Sequence, residues 1–116
     1  MQIKVKNIDG TSILSLEGDF LGDDDHHKLR GRVQQLVKQG RRHLVIDLAH
    51  VEHINSCGLG SLVCALTTVR RTGGDLQLAG VGVHVGDMLR ITHLNKIFQI
   101  YPSVSATLSE YHVHEG

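Results

Sequence analysis

Residues Val45–Leu66 read VIDLAHVEHINSCGLGSLVCAL. The stretch begins inside the apolar run Leu44–Leu48. That run has no polar alternation, so it predicts a strand buried on both faces, as in parallel sheets. A polar loop then delivers Asn55-Ser56-Cys57-Gly58. A helical pattern follows at once, with Leu59, Leu62, Val63, Leu66 and Val69 on one face. A small hydroxyl residue is thereby placed where a strand-to-helix loop meets a helix N-terminus. Such an end carries unpaired backbone N–H groups and roughly half a positive charge, and it holds a phosphate without disturbing the fold. Asn, Ser and Gly also suit an ordinary N-cap, so the meaning of Ser56 depends on the sequence around it.

On the N-terminal side, residues 2–8 set Lys4 and Lys6 against Ile3 and Val5, the alternation of a half-buried strand. Asp9-Gly10 is a hairpin turn signal, and residues 12–18 make the return strand with Leu14 and Leu16 on one face. Asp23, Asp24 and Asp25 open a helix at its positive end. Its buried stripe is Leu29, Val33, Leu36 and Val37, and Gly40 ends it. On the C-terminal side, Gly73-Gly74 stops the second helix and Leu76–Ala79 form a short strand. Val85, Met88 and Leu89 mark a third helix, and Phe98–Tyr101 a last strand. Pro102 opens a terminal helix with Val104, Leu108 and Tyr111 as its apolar face. The order β-β-α-β-α-β-α-β-α predicts an α/β domain over residues 1–116: a mixed sheet with an antiparallel edge hairpin, packed with about four helices.

Composition narrows the function. Lys plus Arg and Asp plus Glu number 12 each, so no basic surplus exists to bind a phosphate backbone, and nucleic acid is not an expected partner. The aromatic residues are only Phe20, Phe98, Tyr101 and Tyr111, too few for a base-stacking platform. No apolar run approaches the ~18 residues of a membrane span, and the N-terminus lacks the apolar centre of a signal peptide. The expected location is the cytoplasm, without membrane insertion. Cys57 and Cys64, seven apart on one predicted helix, sit about 10 Å apart at 1.5 Å per residue, too far to pair. Cys64 reads as a small buried packing residue.

The blocks around the loop are specific in their order. Asp47-Leu48 precedes Asn55-Ser56-Cys57-Gly58-Leu59-Gly60, then come Arg70-Arg71-Thr72-Gly73-Gly74-Asp75, Met88-Leu89-Arg90 and Phe98-Gln99-Ile100-Tyr101-Pro102. Nearly the whole chain resembles the STAS family, the anti-sigma factor antagonists, whose motif runs Asp-Ser-Ser/Thr-Gly-Leu-Gly. The resemblance implies a binding module without catalytic activity. In that family the first serine of the motif is the one phosphorylated, which by resemblance implies Ser56. Unmodified, such a module binds an anti-sigma factor that is also a serine kinase and releases a sigma factor. The kinase, using ATP and magnesium, then phosphorylates the serine and the complex separates; a serine phosphatase resets it. The implied partner-binding residues are Asn55, Ser56, Cys57, Gly58 and Leu59, with Asp23 and Asp24 from a neighbouring loop. The Phe20–Asp25 and Gly80–Val85 loops are expected beside Ser56. Asn55 replaces the family's frequent Asp, and Cys57 its second hydroxyl. The same resemblance admits an alternative: a non-phosphorylated subunit that binds the cytoplasmic ATPase of a lipid-transport ABC system. The hairpin edge is free to pair with a second copy, though no residue pattern requires it.

Other chemistries fit less well. Nine histidines are many for this length. Yet Asp23-Asp24-Asp25-His26-His27, the His50/His53 pair and the His112/His114 pair do not make a closed metal-ligand set, so no metal and no cofactor are expected. A hydrolase would need Ser56 or Cys57 as nucleophile and His50, His53 or His84 as base. The Gly-x-Ser-x-Gly elbow and a residue to orient the base are both missing. A thiol at a helix N-terminus can have a lowered pKa and become reactive, so Cys57 reads either as a redox-sensitive thiol or, more simply, as a small residue filling a small space.

Overall fold

The computed structural model describes the backbone of residues 1–115 and the side chains of residues 1–109. The elements are β1 (Gln2–Ile8), β2 (Thr11–Glu17), α1 (Asp23–Lys38), β3 (His43–His50), α2 (Ser56–Arg71), β4 (Asp75–Ala79), α3 (Val83–Ile91), a 3-10 turn (Leu94–Lys96), β5 (Ile100–Tyr101) and α4 (Val104–Glu115). The sheet order is β1-β2-β3-β4-β5. Strands β1 and β2 are antiparallel and every later pair is parallel. Asp9 and Gly10 both take positive φ, 49° and 85°, the tight hairpin geometry their sequence signals.

Alternation across the strands divides the core in two. Leu14, Leu16, Leu44, Ile46, Leu48, Leu76 and Leu78 face α1, α2 and α3 in the main core. Ile13, Val45 and Ala79 point the other way and pack with Ile8, Val104 and Leu108 under α4. β3 is therefore buried on both faces, which is why Leu44–Leu48 carries no polar alternation.

Several details differ from expectation. The last strand is confined to Ile100–Tyr101; Phe98 is buried in the main core ahead of it. Pro102 lies outside α4. Ser103 caps that helix, its Oγ accepting from the Ala106 amide at 3.1 Å. Val63 is only half-buried and Ala65 takes its place on the inner face of α2. Cys64 is exposed rather than buried. The side chain of Tyr111 falls outside the described residues.

Parallel strands place their following loops at one end of the sheet. Gly18–Gly22 after β2, Val51–Asn55 after β3 and Gly80–Gly82 after β4 gather at that end, and α1, α2 and α3 begin there. No helix among the described residues is long and apolar enough to cross a membrane.

Candidate functional site

The loop after β3 is fixed before it reaches Ser56. Ile54 is buried and bridges to Phe20. Asn55 is extended, with φ −116° and ψ −173°, and is the N-cap of α2. Its Oδ1 accepts from the Gly58 amide at 3.1 Å. Its Nδ2 donates to the Leu21 carbonyl at 2.8 Å. One neutral amide thus caps one helix and clamps the loop that leads into another. A carboxylate could do the first but not the second, because Asp has no side-chain donor.

Ser56 is the first residue of α2, and its side chain is exposed. Its hydroxyl makes no hydrogen bond among the described residues. The amides of Gly58 and Leu59 are taken by the Asn55 side chain and carbonyl. Those of Ser56 and Cys57 are the orphan donors of the helix start. Gly58 lies under this turn: a Cβ there would sit 2.5 Å from the Phe20 carbonyl oxygen and 2.6 Å from Ile54 Cγ1. Only glycine allows so close an approach. Gly58 and Leu59 are buried and hold the turn in place; Ser56 is what the turn presents.

The neighbouring loops close around it. Asp23 Oδ1 lies 3.8 Å from Cys57 Sγ, and Asp23 and Asp24 are exposed at the start of α1. Asp25 accepts from the Leu21 amide at 3.3 Å and pairs with the N-terminal ammonium at 3.4 Å. His53 lies 3.3 Å from Asp19 and meets the His84 ring in a tilted contact with centroids 5.4 Å apart, which ties the loop after β3 to the start of α3. Gly80, at φ +68°, lets the loop after β4 pass Asp47, whose Oδ1 would meet a Cβ at 2.9 Å. The Phe20–Asp25 and Gly80–Val85 segments therefore do flank Ser56.

Two apolar residues of this surface carry no motif signal. Leu21 is 46% exposed on the loop after β2, and Val83 84% exposed at the first position of α3. The available signal was phase: Leu21 follows the buried Phe20, and Val83 falls off the stripe made by Val85 and Leu89.

Of the two readings of Cys57, its surroundings favour the plainer one. Partial desolvation, then the Asp23 and Asp25 carboxylates, push the Cys57 thiol above its ordinary pKa. The helix dipole favours the thiolate; burial and the two carboxylates act against it. No hydrogen bond joins Ser56 or Cys57 to a histidine among the described residues. Nor do they contain a group of three His, Cys, Asp or Glu placed to hold a metal.

A model described as the STAS domain matches residues 2–107. The chain belongs to the STAS domain family. An anti-sigma F factor antagonist of Paenibacillus polymyxa is 26% identical over 117 residues, covering 97% of each chain. The crystal structure of an anti-sigma factor antagonist from Mycobacterium paratuberculosis superposes with a TM-score of 0.80 at 26% identity, over 94% of this STAS domain and 92% of that chain. The antagonist SpoIIAA shares the fold in its unphosphorylated form (TM-score 0.71, 10% identity, 97% and 98% covered) and in its phosphorylated form (0.75, 11%, 95% and 99%). The STAS fold thus positions the Ser56 loop at the exposed end of the sheet, with α1 and α3 beginning on either side.

Proposed function

We propose that this STAS protein is an anti-sigma factor antagonist, a cytoplasmic binding module controlled by phosphorylation of Ser56. The carrying observation is the Ser56 hydroxyl itself: exposed, without an internal partner, at the first position of a helix whose cap is supplied by its neighbour. Among the described residues nothing inside the fold uses this hydroxyl. Its surroundings suit a partner, with Leu21 and Val83 offering apolar contact and Asp23 and Asp24 offering charge.

In this reading the unmodified protein binds an anti-sigma factor that is a serine kinase, and a sigma factor is released. Phosphorylation then adds about −1.5 to −2 charges at neutral pH. The fold tolerates them because two terms oppose each other. The α2 N-terminus favours an anion by about 0.3–1 kcal/mol, and the nearby carboxylates oppose it by a similar order through water-accessible space. An interface does not tolerate them, because the charge must be desolvated there or held against other carboxylates. A penalty of about 3–4 kcal/mol weakens binding roughly 100- to 1,000-fold and turns the complex off. A serine phosphatase restores it.

The test is capture of partners on tagged wild type, Ser56→Ala and Ser56→Asp. A kinase-type anti-sigma factor is expected on the first two and not on the third. A transporter ATPase held equally by all three would replace this reading with that of a non-phosphorylated ABC-system subunit.

A further inference from the structure

We infer that the groove between α1 and α2 is a second, separate site that takes a small soluble molecule bearing a diphosphate or two acidic groups. The groove encloses about 500 Å³, within the range of small-molecule sites. Arg30 and Gln34 line it from α1; Cys64, Thr68 and Arg71 line it from α2. No acidic side chain lines it. Among the described residues neither Arg30 nor Arg71 has a carboxylate or carbonyl partner. The other arginine at the end of α2 behaves differently: Arg70 pairs with Asp75 at 3.6 Å and donates to the Ile97 carbonyl at 3.3 Å. Two unpaired guanidiniums facing one acid-free groove make a bidentate anion receptor, since each presents a planar fork of donors matched to phosphate or carboxylate oxygens.

The upper wall is set by one hydrogen-bond chain. Ser61 Oγ donates to the Cys57 carbonyl at 3.1 Å. Its 2.6 Å contact with His26 is therefore one in which Nδ1–H donates. His26 lines the groove, and this bond holds its ring in place. The same chain ends on the first turn of α2, so an occupied groove lies one helical turn from Ser56. The helix spacing sets the ligand's span. Asp23 meets Cys57 and His26 meets Ser61, which places Arg30 about level with Cys64. Arg71 is then about 10 Å further along the axis at 1.5 Å per residue. That distance is bridged by two long side chains converging on one diphosphate or by a ligand with an acidic group at each end.

The experiment is a titration of the 15N-labelled full chain with inorganic pyrophosphate at constant ionic strength. Saturable shifts are expected at Arg30, Gln34, Cys64, Thr68 and Arg71, with affinity falling at least tenfold in the doubly substituted Arg30→Gln, Arg71→Gln protein. Arg32→Gln, on the same helix but outside this groove, is expected to bind as wild type. All three residues are exposed, so folding is not at issue. As an independent readout, pyrophosphate is expected to slow alkylation of Cys64 by iodoacetamide in wild type and not in the double variant. Absence of saturable binding, equal weakening by Arg32→Gln, or shifts confined to the Ser56–Gly58 turn would overturn the proposal. So would co-sedimentation with phosphatidylglycerol vesicles that requires Arg30 and Arg71 while free pyrophosphate does not bind, because the anion would then be a lipid headgroup.

Discussion

The two ends of the sheet treat polar side chains in opposite ways. At the end where the parallel strands begin, polar groups satisfy one another. Thr11 Oγ1 lies 2.8 Å from His43 Nδ1, His43 Nε2 lies 2.7 Å from Gln77 Oε1, and Gln77 Nε2 donates to Gln99 Oε1 at 2.7 Å. This row crosses β2, β3 and β4 and leaves His43 buried. At the other end the backbone is equally fixed, by Asn55, Phe20 and Gly58, yet the Ser56 hydroxyl is left without a partner. The difference teaches what distinguishes a site from a scaffold in this fold. Both are rigid; what sets the site apart is one exposed hydroxyl, Ser56, that among the described residues takes no internal bond.

The largest expected effect comes from breaking the rigidity under Ser56. Gly58→Ala forces a Cβ against the Phe20 carbonyl and Ile54, an overpacking that costs about 1–3 kcal/mol. Its melting temperature is expected to fall by about 5–15 °C for a domain of this size. Gly60→Ala, two residues on, meets nothing within 4 Å and is expected to stabilise α2 by about 0.5–1 kcal/mol. Equal melting temperatures for the two variants would mean that Gly58 is not the tight point of the turn.

At the closed end the expected loss is similar in size but different in consequence. His43→Ala strands the buried Thr11 hydroxyl, at about 1–3 kcal/mol for a buried group left unpaired. Urea denaturation is expected to show the loss, while affinity for the partner captured through the Ser56 face stays within twofold. A large change in partner affinity would show that the two ends are coupled and the contrast drawn between them false.

Asn55 sharpens the comparison at the open end. Asn55→Ala removes both the cap and the Leu21 clamp, and about 1–2 kcal/mol of stability is expected to go with them. Asn55→Asp keeps the cap and adds a favourable charge at the helix start, but it sets a carboxylate oxygen against the Leu21 carbonyl. A smaller loss is expected, with amide exchange quickened at residues 19–22 and little changed within α2. Exchange unchanged in that loop would mean that the clamp does not hold it.

What the sequence made legible follows the range of the interactions. The hairpin at Asp9-Gly10, the doubly buried β3 and the start of α2 rest on neighbours within one or two turns, and periodicity and turn chemistry expose them. The short β5 and the burial of Phe98 ahead of it depend on the 3-10 turn at Leu94–Lys96, entered through His93 at φ 61°, and no periodic signal marks it. The second bond of Asn55 spans 34 residues, so the advantage of an amide over a carboxylate there appears only once β2 and β3 are paired. The same is true of Cys57: the helix dipole is a local property visible in the sequence, but the burial and the α1 carboxylates that oppose it arise only in the fold.

The two cysteines give the smallest and most local test. Both are free, Cys57 half-buried beside Asp23 and Cys64 exposed on the outer side of the same helix. A raised pKa means that less of Cys57 is thiolate at any pH below that value, and the thiolate is the species that reacts. Iodoacetamide at pH 7.5 is therefore expected to alkylate Cys64 several-fold faster than Cys57, read peptide by peptide by mass spectrometry. The sign can be checked by raising the pH. As pH rises toward the raised Cys57 pKa its thiolate fraction grows, so its own rate is expected to climb about tenfold per unit. Asp23→Asn removes the first of the two carboxylate contributions, and Cys57 is expected to react faster in that variant while Cys64 does not change. If Cys57 reacted faster than Cys64 in the wild type, the dipole of α2 would dominate the carboxylates after all, and the open end of the sheet would present a positive rather than a negative face to a phosphate on Ser56.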